Sequence, residues 1–159
     1  MLQNAIKKSN ITYSVSTAED LSQFCTNSID LITTAQAAHW FNMTEFYKES
    51  FRVLKPHGTL AIWCYNYFFL KDHPNVGLLT KNLTMGNTDK LGPYWDKGIE
   101  TLNNLYRDFK FPKEMFQNIQ WEIYENNENS LLEVEWTIYQ LTQYMKVIKY
   151  TILIQNRFN

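Results

Sequence analysis

The stretch SIDLITTAQAAHWFNMTEFYKESFRVLKPHGTLAIWCYN, residues 28–66, decides the fold. Ile29, Leu31 and Ile32 form a short apolar run of the length of a buried strand, just after Cys25-Thr26-Asn27. Thr33 to Trp40 is small and polar and ends in His39-Trp40-Phe41, as a loop leaving that strand. Asn42 is placed as a helix N-cap, with Glu45 at capping-box spacing. Tyr47, Phe51 and Leu54 recur at i, i+4 and i+7 and predict one helical face. Lys55-Pro56-His57-Gly58 stops the helix, with Gly58 as the residue free to take positive φ. Thr59 to Tyr65 is a second apolar run of strand type. Strand, helix and strand in this order predict two parallel strands joined by a right-handed crossover.

Working outward, residues 1–8 read as a helix and Ile11-Thr12-Tyr13-Ser14-Val15 as an alternating strand. Ser16 to Leu21 is a loop opening a short helical turn. Beyond Tyr65, Val76 to Leu83 reads as a short helix, and Thr84 to Gly98 as a loop rich in glycine. Ile99, Leu102, Tyr106 and Phe109 make a helical stripe ended by Pro112. Ile119, Trp121 and Ile123 alternate as in a half-buried strand, and Leu131 to Glu135 is extended. Thr137 and Gln140 again have capping-box spacing, ahead of a stripe of Ile138, Leu141, Met145 and Ile148.

Composition narrows the function classes. Charged residues make up 19% and apolar residues 45% of the 159, which favours a globular chain over a disordered one. Net charge is −1 with no basic run, which argues against a nucleic-acid partner. No apolar run approaches the ~18 residues of a membrane span, and the first ten residues lack a secretory core. A cytoplasmic protein with no membrane partner is therefore expected. Cys25 and Cys64 have no ligand spacing and read as buried reduced thiols, and the three histidines are too scattered for a metal site.

The pattern D-L-I-T-x-x-x-A-x-H-W-F from Asp30, then R-V-L-K-P-x-G-T-L-A-I-W-x-Y from Arg52, resembles class I S-adenosylmethionine-dependent methyltransferases. The resemblance is to the fourth strand, helix and fifth strand of that family, in the branch of the fungal trans-aconitate methyltransferases. Leu91-Gly92-Pro93-Tyr94-Trp95 resembles the same branch. The likeness runs over about residues 1–145. It implies an α/β fold, a partial Rossmann-like sheet with helices on both faces, over residues 1–148, and a divergent tail at 149–159.

The same resemblance implies S-adenosyl-L-methionine as the cofactor and a small molecule such as a carboxylate as the acceptor. Thr17, Ala18 and Glu19 would frame the adenine, and Gln36 and Ala37 would border the methionyl or ribose region. His39, Trp40, Tyr65, Tyr94 and Trp95 would face the acceptor. No protein nucleophile is implied, because an in-line methyl transfer to a carboxylate requires neither nucleophile nor base on the protein. For each group a bland reading stands beside this one: an exposed helix cap at 17–19, a packed histidine at 39, an aromatic plug at 94–95.

The sequence also departs from the family pattern. None of Gly58, Gly77, Gly86, Gly92 and Gly98 falls in a strand–loop–helix context near the N-terminus, where the family carries a Gly-rich cofactor loop. The resemblance therefore implies a sheet without the family's first two strands and its last strand. The alternative function is a non-catalytic remnant or interaction module, self-associating through open sheet edges.

Overall fold

In a computed structural model of the chain, the structure describes residues 2–86, 91–124 and 133–155. The decisive stretch folds as expected: strand β1 (Ile29–Ala35), helix α1 (Met43–Val53) and strand β2 (Leu54–Trp63). The strands are parallel, with Leu31 opposite Thr59, Thr33 opposite Ala61 and Ala35 opposite Trp63. Among the described residues they form a two-stranded sheet. Asn42 caps α1, its side chain accepting from the Glu45 N–H at 3.4 Å.

The helical face is shifted from expectation. Phe46, Tyr47, Ser50 and Val53 are the buried positions, while Phe51 is half exposed and Leu54 already begins β2. Tyr47 meets Phe111 and Phe116 at ring centroid distances of 5.5 and 5.9 Å. Phe51 stands edge-on to Phe116. Residues 110–117 thus return to the first compact unit, which otherwise runs from Met1 to Cys64.

The junction between α1 and β2 also differs from expectation. Register jumps between Ile29–Leu54 and Leu31–Thr59, so Lys55-Pro56-His57-Gly58 loops out of the pairing. The left-handed residue is His57, at φ 68°, and not Gly58. Gly58 is required for close packing instead: a Cβ there would lie 2.9 Å from the Lys55 carbonyl and 3.2 Å from that of Asp30. Lys55 Nζ reaches both Asp30 oxygens at 2.8 Å and closes the bulge.

Three further expectations fail in this unit. Residues 11–15 form no strand, and Val15 is 87% exposed. Near the start, the described helix is one 3-10 turn, Leu2–Asn4. β1 is not a buried strand: Leu31 is 55% exposed and Thr34 is its one buried residue. The two strand outcomes follow from a strand lacking a neighbour, since alternating side chains find a core only where a second layer covers them. Cys25 is likewise exposed, while Cys64 is half-buried and burial pushes its thiol up.

The second unit comprises residues 65–109 and 118–159. It contains α2 (Pro74–Met85), α3 (Gly98–Asn103) and α4 (Ile138–Gln155). α2 contains the predicted 76–83 helix, started by Pro74 at its first turn. α3 stops well before Pro112, because Leu105 and Tyr106 turn left-handed at φ 54° and 59°. Tyr106 is thereby buried and stacks on Phe109 at 4.6 Å. Ile119, Trp121 and Ile123 form no strand and are exposed. The 131–135 expectation lies partly outside the described residues. The capping box of α4 is present, with the Thr137 N–H donating to Gln140 Oε1 at 2.8 Å and the Gln140 N–H to Thr137 Oγ1 at 3.3 Å. Phe68 stacks on Tyr67 and stands edge-on to Tyr144 of α4, which also meets Trp136.

Candidate functional site

The carboxyl end of a parallel strand is where an open α/β sheet offers room for a ligand. At the end of β1, Gln36 takes φ 53°, an uncommon conformation for a side-chain-bearing residue. Its N–H donates to the Trp63 carbonyl at 3.0 Å, so the turn is fixed to the end of β2. The chain then makes a 3-10 turn, Ala38–Trp40, with Ala38 fully buried beneath it. This seats His39 half-buried and leaves Trp40 56% exposed, their rings 4.8 Å apart. Ala37 is half-buried at the same turn, and its carbonyl accepts from the Trp40 N–H.

The loop at 16–21 comes to the same region. Glu19 Oε1 accepts the Asn42 N–H at 2.7 Å, bridging from this loop to the cap of α1. That bond, with further donation from the Glu19 N–H and the Thr17 hydroxyl, holds the Glu19 carboxyl below the usual carboxylate range. Thr17 is exposed and Ala18 half-buried. The Ser16 hydroxyl donates to the Thr17 and Asp20 carbonyls and tightens the turn.

Farther along, α1 fastens the same segment through a pair that the sequence reading passed over. The Arg52 guanidinium grips Glu49 at 2.7 and 2.8 Å and donates to the Leu21 and Phe24 carbonyls at 3.0 Å each. Glu49 Oε2 accepts the Leu21 N–H at 3.2 Å. Arg52 holds the Glu49 carboxyl below its ordinary range. The signal was available as an E-x-x-R spacing on a predicted helix.

The remaining candidates lie in the second unit. Tyr65 and Tyr94 are exposed. Trp95 is half-buried, and its indole N–H donates to the Thr84 carbonyl at 2.8 Å, closing the last turn of α2. Gly92 packs against the same turn: a Cβ there would fall 2.4 Å from the Gly86 carbonyl and 2.6 Å from that of Met85. The Leu91–Trp95 block is therefore built to fit the end of α2.

Comparison with known proteins agrees with this geometry. Residues 1–62 match the family model described as a methyltransferase domain. The match ends inside β2, close to the end of the first unit at Cys64. The chain is similar to class I S-adenosylmethionine-dependent methyltransferases.

A Dictyostelium discoideum protein named as a methyltransferase is 35% identical over 112 residues, 69% of this chain and 40% of its own length. A Saccharomyces cerevisiae protein named as an S-adenosylmethionine-dependent methyltransferase is 36% identical over 47 residues, 30% of this chain and 16% of its own. Among solved structures, a type II methyltransferase from Anaeromyxobacter dehalogenans superposes with TM-score 0.54 at 26% identity, over 70% of this chain and 45% of that one. The α/β unit is thus part of the Rossmann-like methyltransferase fold, and the chain spans less than half the length of these relatives.

Two loops, at 16–21 and 36–42, meet beyond the carboxyl end of β1 through Glu19 and Asn42. No glycine precedes Gly58 in the sequence, so neither loop carries a glycine cradle for the methionyl end. Gly58 and Gly92 face backbone of the protein itself, so the space where a side chain would stand is already filled there, while a Cβ at Gly77 would make only ordinary contact with Leu70.

Proposed function

We propose that this chain carries the adenine-side half of an S-adenosylmethionine-dependent methyltransferase that acts in the cytoplasm on a small molecule, with a carboxylate of the trans-aconitate type as the first acceptor to test. The observation that carries the reading is the parallel β1–α1–β2 unit within the methyltransferase-domain match, with Gln36 in a left-handed turn at the strand end. In this reading Thr17, Ala18 and Glu19 form the adenine side, and Gln36 and Ala37 the ribose or methionyl border. His39 and Trp40 form the acceptor side within the first unit. When bound, the cofactor supplies the transferable methyl. The chain's own residues orient the acceptor and exclude water, and a carboxylate acceptor is already nucleophilic at neutral pH.

A second reading is favoured by one observation: β1 and β2 form a two-stranded sheet with Leu31 more than half exposed. An open edge of this kind suits a non-catalytic module that pairs with a second copy. One experiment separates the two. Purified chain, checked for monodispersity, is titrated with S-adenosylhomocysteine by ligand-observed NMR. Saturable binding, weaker than micromolar because no glycine cradle is supplied, supports the methyltransferase reading. A folded chain that binds none, and whose sedimentation shows concentration-dependent association abolished by Leu31→Lys, supports the second.

A further inference from the structure

Residues 11–24 have no strand or helix of their own, and Ile11, Tyr13 and Val15 are exposed. Apolar burial therefore does not fix residues 11–15, and beyond them polar ties to α1 hold the segment where Ala18 and Leu21 are half-buried. Two such ties are seen among the described residues. Glu19 Oε1 accepts the N–H of Asn42, the cap residue of α1, whose own side chain accepts from the Glu45 N–H. About two to three turns along the helix, Glu49 and Arg52 hold the Leu21 N–H, the Leu21 carbonyl and the Phe24 carbonyl.

We propose that Glu19 is a positioning residue, which locks the 16–21 loop to the 36–42 loop so that the two present a single surface beyond β1, while the Glu49–Arg52 pair anchors the far end of the same segment. This deepens the methyltransferase reading and rests on it for the identity of the ligand. Because its carboxylate is already taken by donors of the protein, Glu19 acts on a ligand through the placement of its neighbours. The Asn42 N–H is one of the unpaired donors at a helix start, so an acceptor from elsewhere in the chain is well placed there.

The test uses the full chain and the variants Glu19→Ala, Glu19→Gln and Arg52→Ala. Amide hydrogen exchange is followed by mass spectrometry, together with S-adenosylhomocysteine affinity by ligand-observed NMR. Glu19→Ala is expected to speed exchange about tenfold in both the 16–21 and 36–42 loops, with β1 and β2 unchanged. Glu19→Gln, which keeps a carbonyl acceptor, restores protection in both loops and restores affinity. Arg52→Ala opens residues 21–24 and leaves 36–42 protected.

Unchanged exchange at 36–42 in Glu19→Ala would overturn the lock. Protection restored by Glu19→Gln without affinity would also overturn the proposal, since Glu19 would then touch the ligand by its charge. If the parent chain binds no S-adenosylhomocysteine, the cofactor reading fails, and the exchange measurements alone decide the lock.

Discussion

Tyr47 is 4% exposed and its hydroxyl has no hydrogen-bond partner among the described residues. A buried hydroxyl without a partner costs more than it contributes. Tyr47→Phe is therefore expected to raise stability by about 1 kcal/mol in urea unfolding. Burial also pushes the Tyr47 hydroxyl from 10.0 up to about 12. Between those values the unfolded chain releases this proton before the folded one does, so stability falls as pH rises through the window. Tyr47→Phe should lack that loss, which unfolding curves at alkaline pH would read directly. Val53 is fully buried and Leu31 is 55% exposed, although both are apolar. Val53→Ala is expected to cost about 2 kcal/mol and Leu31→Ala less than about 0.5 kcal/mol. Similar costs for the two would mean that β1 is covered.

At the scale of elements, the α1–β2 junction distributes two demands over adjacent residues. His57 takes the left-handed conformation and Gly58 the close approach. Substitutions should therefore act in opposite directions. His57→Gly relieves the strain of a side chain at positive φ and is expected to raise stability by up to about 1 kcal/mol. Gly58→Ala drives a methyl against the Lys55 and Asp30 carbonyls and is expected to cost about 1–3 kcal/mol. Thermal unfolding of the two variants decides the assignment, and a stabilising Gly58→Ala would reverse it. A second junction of this kind is the end of α2, where Gly92 and the Trp95 indole close the last turn. There, Trp95→Phe keeps the ring but loses the N–H bond to Thr84, at an expected cost of about 1 kcal/mol.

At the scale of the molecule, protection is expected to be uneven. Amides in the β1–β2 ladder should exchange slowest, and those of residues 11–15, outside any ladder, should approach unprotected rates. Exchange mass spectrometry of the whole chain checks this, and strong protection at 11–15 would show that the segment pairs in solution. Acid should loosen the first unit locally. Glu19 and Glu49 have folded pKa values below their ordinary 4.5, so their contribution is complete above that value and is lost as pH falls through the lowered folded values. No helix among the described residues is long and apolar enough to cross a membrane.

The sequence by itself determined the β1–α1–β2 order, because the apolar runs and the Asn42 cap are local signals that agree with one another, whereas Lys55-Pro56-His57-Gly58 lies within β2 and not at the end of α1. It determined the Thr137–Gln140 cap of α4 and the α2 helix for the same reason. Only the tertiary structure decided what depends on neighbours. The alternation of residues 11–15 and 119–123 did not become strand, since a ladder needs a partner that local pattern cannot supply. Burial of α1 moved from Phe51 to Phe46, Ser50 and Val53 once 110–117 returned beside Tyr47. The bond from the Asn42 N–H to Glu19 joins residues 23 apart in sequence, and no spacing rule reaches across a loop of that length.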